Sequence, residues 1–117
     1  MIKVSQKCET LEEGIKFLMA GAKEDYKQNS LMGKNELSHY CKEKLENFES
    51  QTTVREGKKY IKVIYDRSVF AFIVKEDFKH FKKGDVLKPA GWAAPALNQS
   101  RGNVLEGNYP IQWTGPL

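Results

Sequence analysis

The chain has 117 residues and a mass of 13.4 kDa, which favours one domain. With 40% apolar and 29% charged residues, it can bury a core and is too mixed for wholesale disorder. No apolar run nears the roughly 20 residues of a membrane span, and Met1–Ser5 lacks the apolar core of a secretion signal, so neither a transmembrane nor an exported protein is expected. The net charge of +4 is uneven. Residues 1–50 hold eight basic and nine acidic side chains and residues 51–117 hold eleven and six, so the excess lies in the second half.

Residues 1–9 carry little pattern. Thr10-Leu11-Glu12-Glu13 is a capping box that opens a helix over 11–26. Its apolar stripe is Leu11, Ile15, Leu18, Met19, Ala22 and Tyr26, at helical spacing. Gly14 and Gly21 weaken it, so packing must supply its stability. Residues 27–34 read as a loop. A second amphipathic helix is expected over 36–49, starting near Asn35, with Leu37, Tyr40, Cys41, Leu45 and Phe48 on one face. Near residue 57 the period changes to two. Tyr60–Tyr65 and Val69–Val74 flank the turn Asp66-Arg67-Ser68, a β-hairpin. The second strand is apolar on both faces, which makes it central and covered on both sides. A turn at 78–81 follows, then a tight turn at Lys83-Gly84 and a short strand at 85–88. An ordered loop follows over 91–97, where Pro95 forbids a longer strand and a turn of helix is allowed. Val104-Leu105 reads as a short strand, and Tyr109–Trp113 as an edge strand interrupted by Pro110. The fold class is α+β. Two N-terminal amphipathic helices, within residues 1–50, pack on a small antiparallel sheet or partly open barrel formed by residues 51–117.

Little in the sequence points to catalysis. His39 and His80 stand beside no motif that supplies a partner carboxylate, and no nucleophile elbow or phosphate-binding glycine loop is present. No catalytic residue, cofactor or metal ligand is assigned. Cys8 and Cys41 lie outside any CxxC pattern and are expected to remain unbridged. The candidate binding residues are Lys79, Lys82 and Lys83, in a basic stretch, and Trp92, Asn98, Arg101 and Asn103, in the loop that follows. Arg101 can grip a phosphate or carboxylate with two parallel bonds, or, with the asparagines, close turns and cap backbone groups. Tyr60, Tyr65, Phe78, Phe81, Trp92 and Trp113 are interleaved with the basic residues. Exposed, they can stack on unpaired bases; buried, they are core, the reading given to Phe70 and Phe72.

The run KGDVLKPAGWAAPALNQSRGNV at 83–104, the hairpin KYIKVIYDRSVFAFIV and the end Trp113-Thr114-Gly115-Pro116 resemble a group of small, uncharacterised accessory proteins of tailed bacteriophages. The resemblance covers 57–117. Residues 1–50 carry none of it and read as a lineage-specific addition. The resemblance brings no catalytic residues to transfer. It implies a phage protein acting in the host bacterial cytoplasm. Two functions follow as expectations. One is binding a host bacterial protein, so as to inhibit or redirect it in defence or host takeover. The alternative is nucleic-acid binding through the basic β-rich half. No membrane partner is expected.

Overall fold

The computed structural model describes residues 1–31 and 38–117. In chain order it contains β1 (Ile2–Val4), α1 (Leu11–Leu31), α2 (His39–Glu46), β2 (Thr52–Glu56), β3 (Tyr60–Tyr65), β4 (Ser68–Val74), β5 (Val86–Leu87), β6 (Tyr109–Gln112) and β7 (Gly115–Pro116). The α+β class holds, but two antiparallel sheets replace the single one expected, ordered β2-β3-β4-β5 and β1-β6-β7, and neither closes into a barrel. Among the described residues no helix is long and apolar enough to cross a membrane.

The β3–β4 hairpin forms where the period-2 pattern lies. Tyr65 pairs with Ser68 across a two-residue turn, and Asp66 takes a left-handed φ of 58°, which Asp tolerates better than most residues. Val63 pairs with Ala71 and Ile64 with Val69, so Phe70 is an extra residue in β4. This bulge brings Phe70 to the side of Ala71 and Ile73, and all three join the main core with Ile15, Leu18, Met19 and Val63. Phe72 and Val74 project to the opposite face, packing with Phe81 and Leu87. β4 is thus interior and covered on both faces, as its composition demands.

α1 begins at its cap, where the Glu13 amide donates to Thr10 Oγ1 at 3.1 Å. It runs to Leu31, beyond the expected end at 26, and lies against β1 and β6. Its two glycines are contact points. A Cβ at Gly14 would stand 2.6 Å from the Val104 carbonyl oxygen, and one at Gly21 2.8 Å from Val4. The helix therefore approaches the chain more closely than any side chain permits. Asp25, buried on α1, accepts from the Trp113 amide at 3.0 Å and pairs with the Met1 amino group.

α2 is capped by Ser38, whose Oγ accepts from the Cys41 amide at 3.3 Å, and it buries none of its residues. It is held at the margin. Cys41 and Leu45 lean on the core, and the Lys44 ammonium lies 4.9 Å from the Tyr26 ring centre and 4.8 Å from that of Trp113. The helix ends at Glu46 rather than 49, and Phe48, just past it, is fully buried. The expected loop at 27–34 is helical as far as Leu31; its remainder and the start near Asn35 lie outside the described residues.

Three further expectations are corrected. Val104-Leu105 is a turn, because Asn103 accepts the amides of Leu105 and Glu106 and bends the chain. β6 is the middle strand of its sheet, not an edge. Pro110, which lacks an N–H, is tolerated because β7 pairs only with Ile111 and Gln112. Residues 91–97 contain no helical turn; they fold back through a bridge between Pro89 and Pro95.

Candidate binding surfaces

Alternation along β2 and β3 gives the larger sheet two unlike faces. Arg55 and Lys62, paired in register, belong to one face, and Val54 and Ile61, their neighbours in sequence, to the other. The first face is basic and aromatic. Lys59 Nζ lies 5.7 Å from the centre of the Phe78 ring, and Phe78 meets Tyr60 edge-on at 5.8 Å. Tyr60 meets Phe72 at 5.8 Å, and Lys62 Nζ lies 5.8 Å from Phe72 and 4.6 Å from Trp92. Trp92 is 51% exposed.

The turn carrying Lys79, Lys82 and Lys83 joins this group. Phe78 and Phe81 bond to each other through their backbones, with Lys79 at a φ of 52° between them. His80 stacks on Phe81 at 4.0 Å, and its Nε2 lies 3.2 Å from the Asn98 carbonyl oxygen. The amide of Lys83 donates to Asp77 and that of Lys82 to Asp85, at 2.8 and 2.9 Å, while both side chains stay exposed. Of the residues singled out from the sequence, Lys79, Lys82, Lys83, Trp92 and Asn98 are therefore exposed along one connected surface. Lys59 and Lys62 were not singled out, although their place in a basic hairpin was visible in the sequence.

Arg101 and Asn103 sit elsewhere. Asn103 is buried. Its Nδ2 donates to the Lys83 carbonyl at 2.9 Å and to Asp85 Oδ1 at 3.0 Å, and its Oδ1 accepts from Leu105 and Glu106 at 2.8 and 3.0 Å. Its hydrogen-bonding capacity is used within the chain. Arg101 Nη1 donates to the Leu117 carbonyl at 3.0 Å, and its amide donates to Val86 at 2.7 Å. Both residues close backbone structure, the second of the two roles open to them from sequence.

On the opposite face, a cleft of about 830 Å³ opens between α1 and β2. Its apolar walls include Leu11, Ile15, Met19, Phe48, Val54 and Ile61. Val54 is 49% exposed there. Sequence inspection missed this cleft because β2 was not recognised, although its β-branched Thr52-Thr53-Val54 was a usable signal. Among the described residues β2 has a neighbour, β3, on one side only. Gly57 donates to Tyr60, and Asp66 to Gln51. Odd-numbered positions of β2 therefore bond to β3, and the N–H and C=O groups of Val54 and Glu56 point outward. At the rim, Lys23 Nζ stands 2.9 Å from Glu49 and Lys75 Nζ 3.5 Å from Glu56. The hydrogen bond from Lys23 holds the Glu49 carboxyl below its ordinary range.

Neither cysteine is in a disulfide. Cys41 Sγ accepts from Tyr26 Oη at 3.7 Å. Desolvation, then the Glu13 carboxylate, pushes the Cys8 thiol above its ordinary value, the opposite of what a reactive thiolate needs. His39, exposed on α2, lies 3.3 Å from Glu43.

The profile of a family of unknown function, DUF7717, matches residues 3–113. The match takes in the helical part as well as the β-rich part, which corrects the reading of residues 1–50 as an addition. No curated protein and no solved structure matches.

Proposed function

The chain belongs to the DUF7717 family of unknown function, and from its own geometry we propose that it is a binding protein that takes an extended segment of another protein into the cleft between α1 and β2. The observation that carries this reading is the coincidence of an apolar cleft with the outward N–H and C=O groups of an edge strand. A segment pairing with β2 gains main-chain hydrogen bonds along Val54 and Glu56. Its alternate side chains then enter the cleft against Ile15, Met19 and Phe48. The rim carboxylates of Glu49 and Glu56 are already matched by Lys23 and Lys75, so apolar burial dominates recognition. The resemblance of residues 57–117 to phage accessory proteins supplies the context. The partner is a host bacterial protein in the host cytoplasm, which this chain inhibits or redirects.

Val54→Pro tests the reading. Proline removes one outward N–H and leaves the bonds between β2 and β3 in place, a substitution edge strands tolerate. The tagged chain should retain a discrete protein from nuclease-treated bacterial lysate, and Val54→Pro, folded by its thermal transition, should not. A partner held equally by the variant, or no protein retained at all, removes the proposal.

A further inference from the structure

The other face of the same sheet has a different chemistry. Lys59, Phe78, Tyr60, Phe72, Lys62 and Trp92 form an unbroken series of ring and ammonium contacts. The exposed turn of Lys79, Lys82 and Lys83 joins it through His80 and Phe81. Of the carboxylates nearby, Asp77 accepts the Lys83 amide, and Asp85 accepts the Lys82 amide and a bond from Asn103, so none of these bonds engages a lysine ammonium.

We propose that this face binds single-stranded nucleic acid, with the exposed indole of Trp92 stacking on a base and Lys62, Lys79, Lys82 and Lys83 contacting phosphates. Two observations select this ligand over an acidic protein. The cations stand beside an exposed ring rather than on a purely polar surface: of Tyr60, Phe72, Phe78, Phe81 and Trp92 only Trp92 is exposed, with Lys62 Nζ 4.6 Å from its centre, so base stacking falls to Trp92 and phosphate contacts to the lysines. Trp92 also leaves half its surface uncovered, a platform that accepts any unpaired base. A duplex keeps its bases stacked on one another and offers the indole nothing. The inference is independent of the cleft, because Arg55 and Lys62 project away from Val54 and Ile61.

The test uses the full chain, a fluorescein-labelled oligothymidine of about 16 nucleotides, and the same strand annealed to its complement. Anisotropy should report binding to the single strand in preference to the duplex, with affinity falling as salt rises. Lys79→Asn, Lys82→Ala and Lys83→Ala combined should flatten the plot of log affinity against log salt by about 2 units, at ~0.7 per lost phosphate contact. Trp92→Ala should weaken binding about tenfold and leave that slope unchanged, and Trp92→Phe should restore most of the loss. Thermal transitions of all three variants establish that they are folded. The proposal is overturned if the single strand is not bound at micromolar protein and physiological salt, if the duplex is bound as tightly, if Trp92→Ala has no effect, or if polyglutamate competes as well as unlabelled oligothymidine.

Discussion

Asn98 and Asn103 carry the same side chain in the same loop, and the fold uses them in opposite ways. Asn98 is exposed, and among the described residues its Oδ1 takes only the neighbouring Gln99 amide, at 2.7 Å. Asn103 is buried among four hydrogen bonds that tie the Lys83 turn, Asp85 and the 104–106 turn together. The same contrast separates Trp92, half exposed over Lys62, from Tyr109, buried over Gly102, where a Cβ would stand 2.4 Å from the tyrosine's own Cβ. One part of the β-rich half is a locked corner and the other an open surface. Residue type does not distinguish them; burial and the count of internal partners do.

The largest expected effect comes from breaking the corner. Asn103→Ala strips partners from Asp85 Oδ1, the Lys83 carbonyl and two amides at a buried site, and should cost about 3 kcal/mol or more. Asn98→Ala should cost under about 0.5 kcal/mol, as an exposed polar group does. Urea unfolding of both variants, compared by midpoint at equal m-value, reads the difference directly. Equal losses would dissolve the comparison.

Gly14→Ala sharpens it from the helix side. Helix propensity alone favours alanine by about 1 kcal/mol. Here the new Cβ would meet the Val104 backbone oxygen at 2.6 Å, next to Asn103, and a backbone atom so placed yields poorly. Overpacking of this kind costs about 1–3 kcal/mol, so a net destabilisation of about 1 kcal/mol is expected by the same unfolding measurement. A stabilised variant would mean that α1 does not press on the corner.

Gly14 also illustrates what could be read in the sequence. The hairpin, the interior place of β4 and the buried face of α1 were legible, because period and apolar content are local properties. The close approaches at Gly14 and Gly21 were not, since a glycine in a helical pattern reads only as weakness until Val104, Val4 and Ile111 are brought against it. β1 was missed for a related reason: Ile2–Val4 is a strand only because β6, from the far end of the chain, pairs with it. Of the candidate residues, Lys79, Lys82, Lys83, Trp92 and Asn98 share a surface. The internal use of Arg101 and Asn103 depended on contacts with Leu117 and Asp85 that no local pattern records.

The smallest effect concerns Tyr109, which roofs the corner. Among the described residues its hydroxyl is buried with no hydrogen-bond partner, and desolvation pushes its ionisation well above the ordinary tyrosine value. A buried hydroxyl without a partner costs folding free energy that phenylalanine avoids, so Tyr109→Phe should leave stability at pH 7 unchanged or raise it by about 1 kcal/mol. Because the folded-state value is raised, the group's contribution is fully present below the unfolded value of about 10. It declines as pH rises above that, since the unfolded chain ionises first, at up to about 1.4 kcal/mol per pH unit. Desolvation raises Tyr26 and Tyr65 in the same direction, so Tyr109→Phe should reduce the alkaline slope by one group's share without abolishing it. Unfolding midpoints of the two proteins between pH 9 and pH 11 supply the measurement. Parallel declines would show that the Tyr109 hydroxyl ionises in the folded state as an exposed one does, which a locked corner forbids.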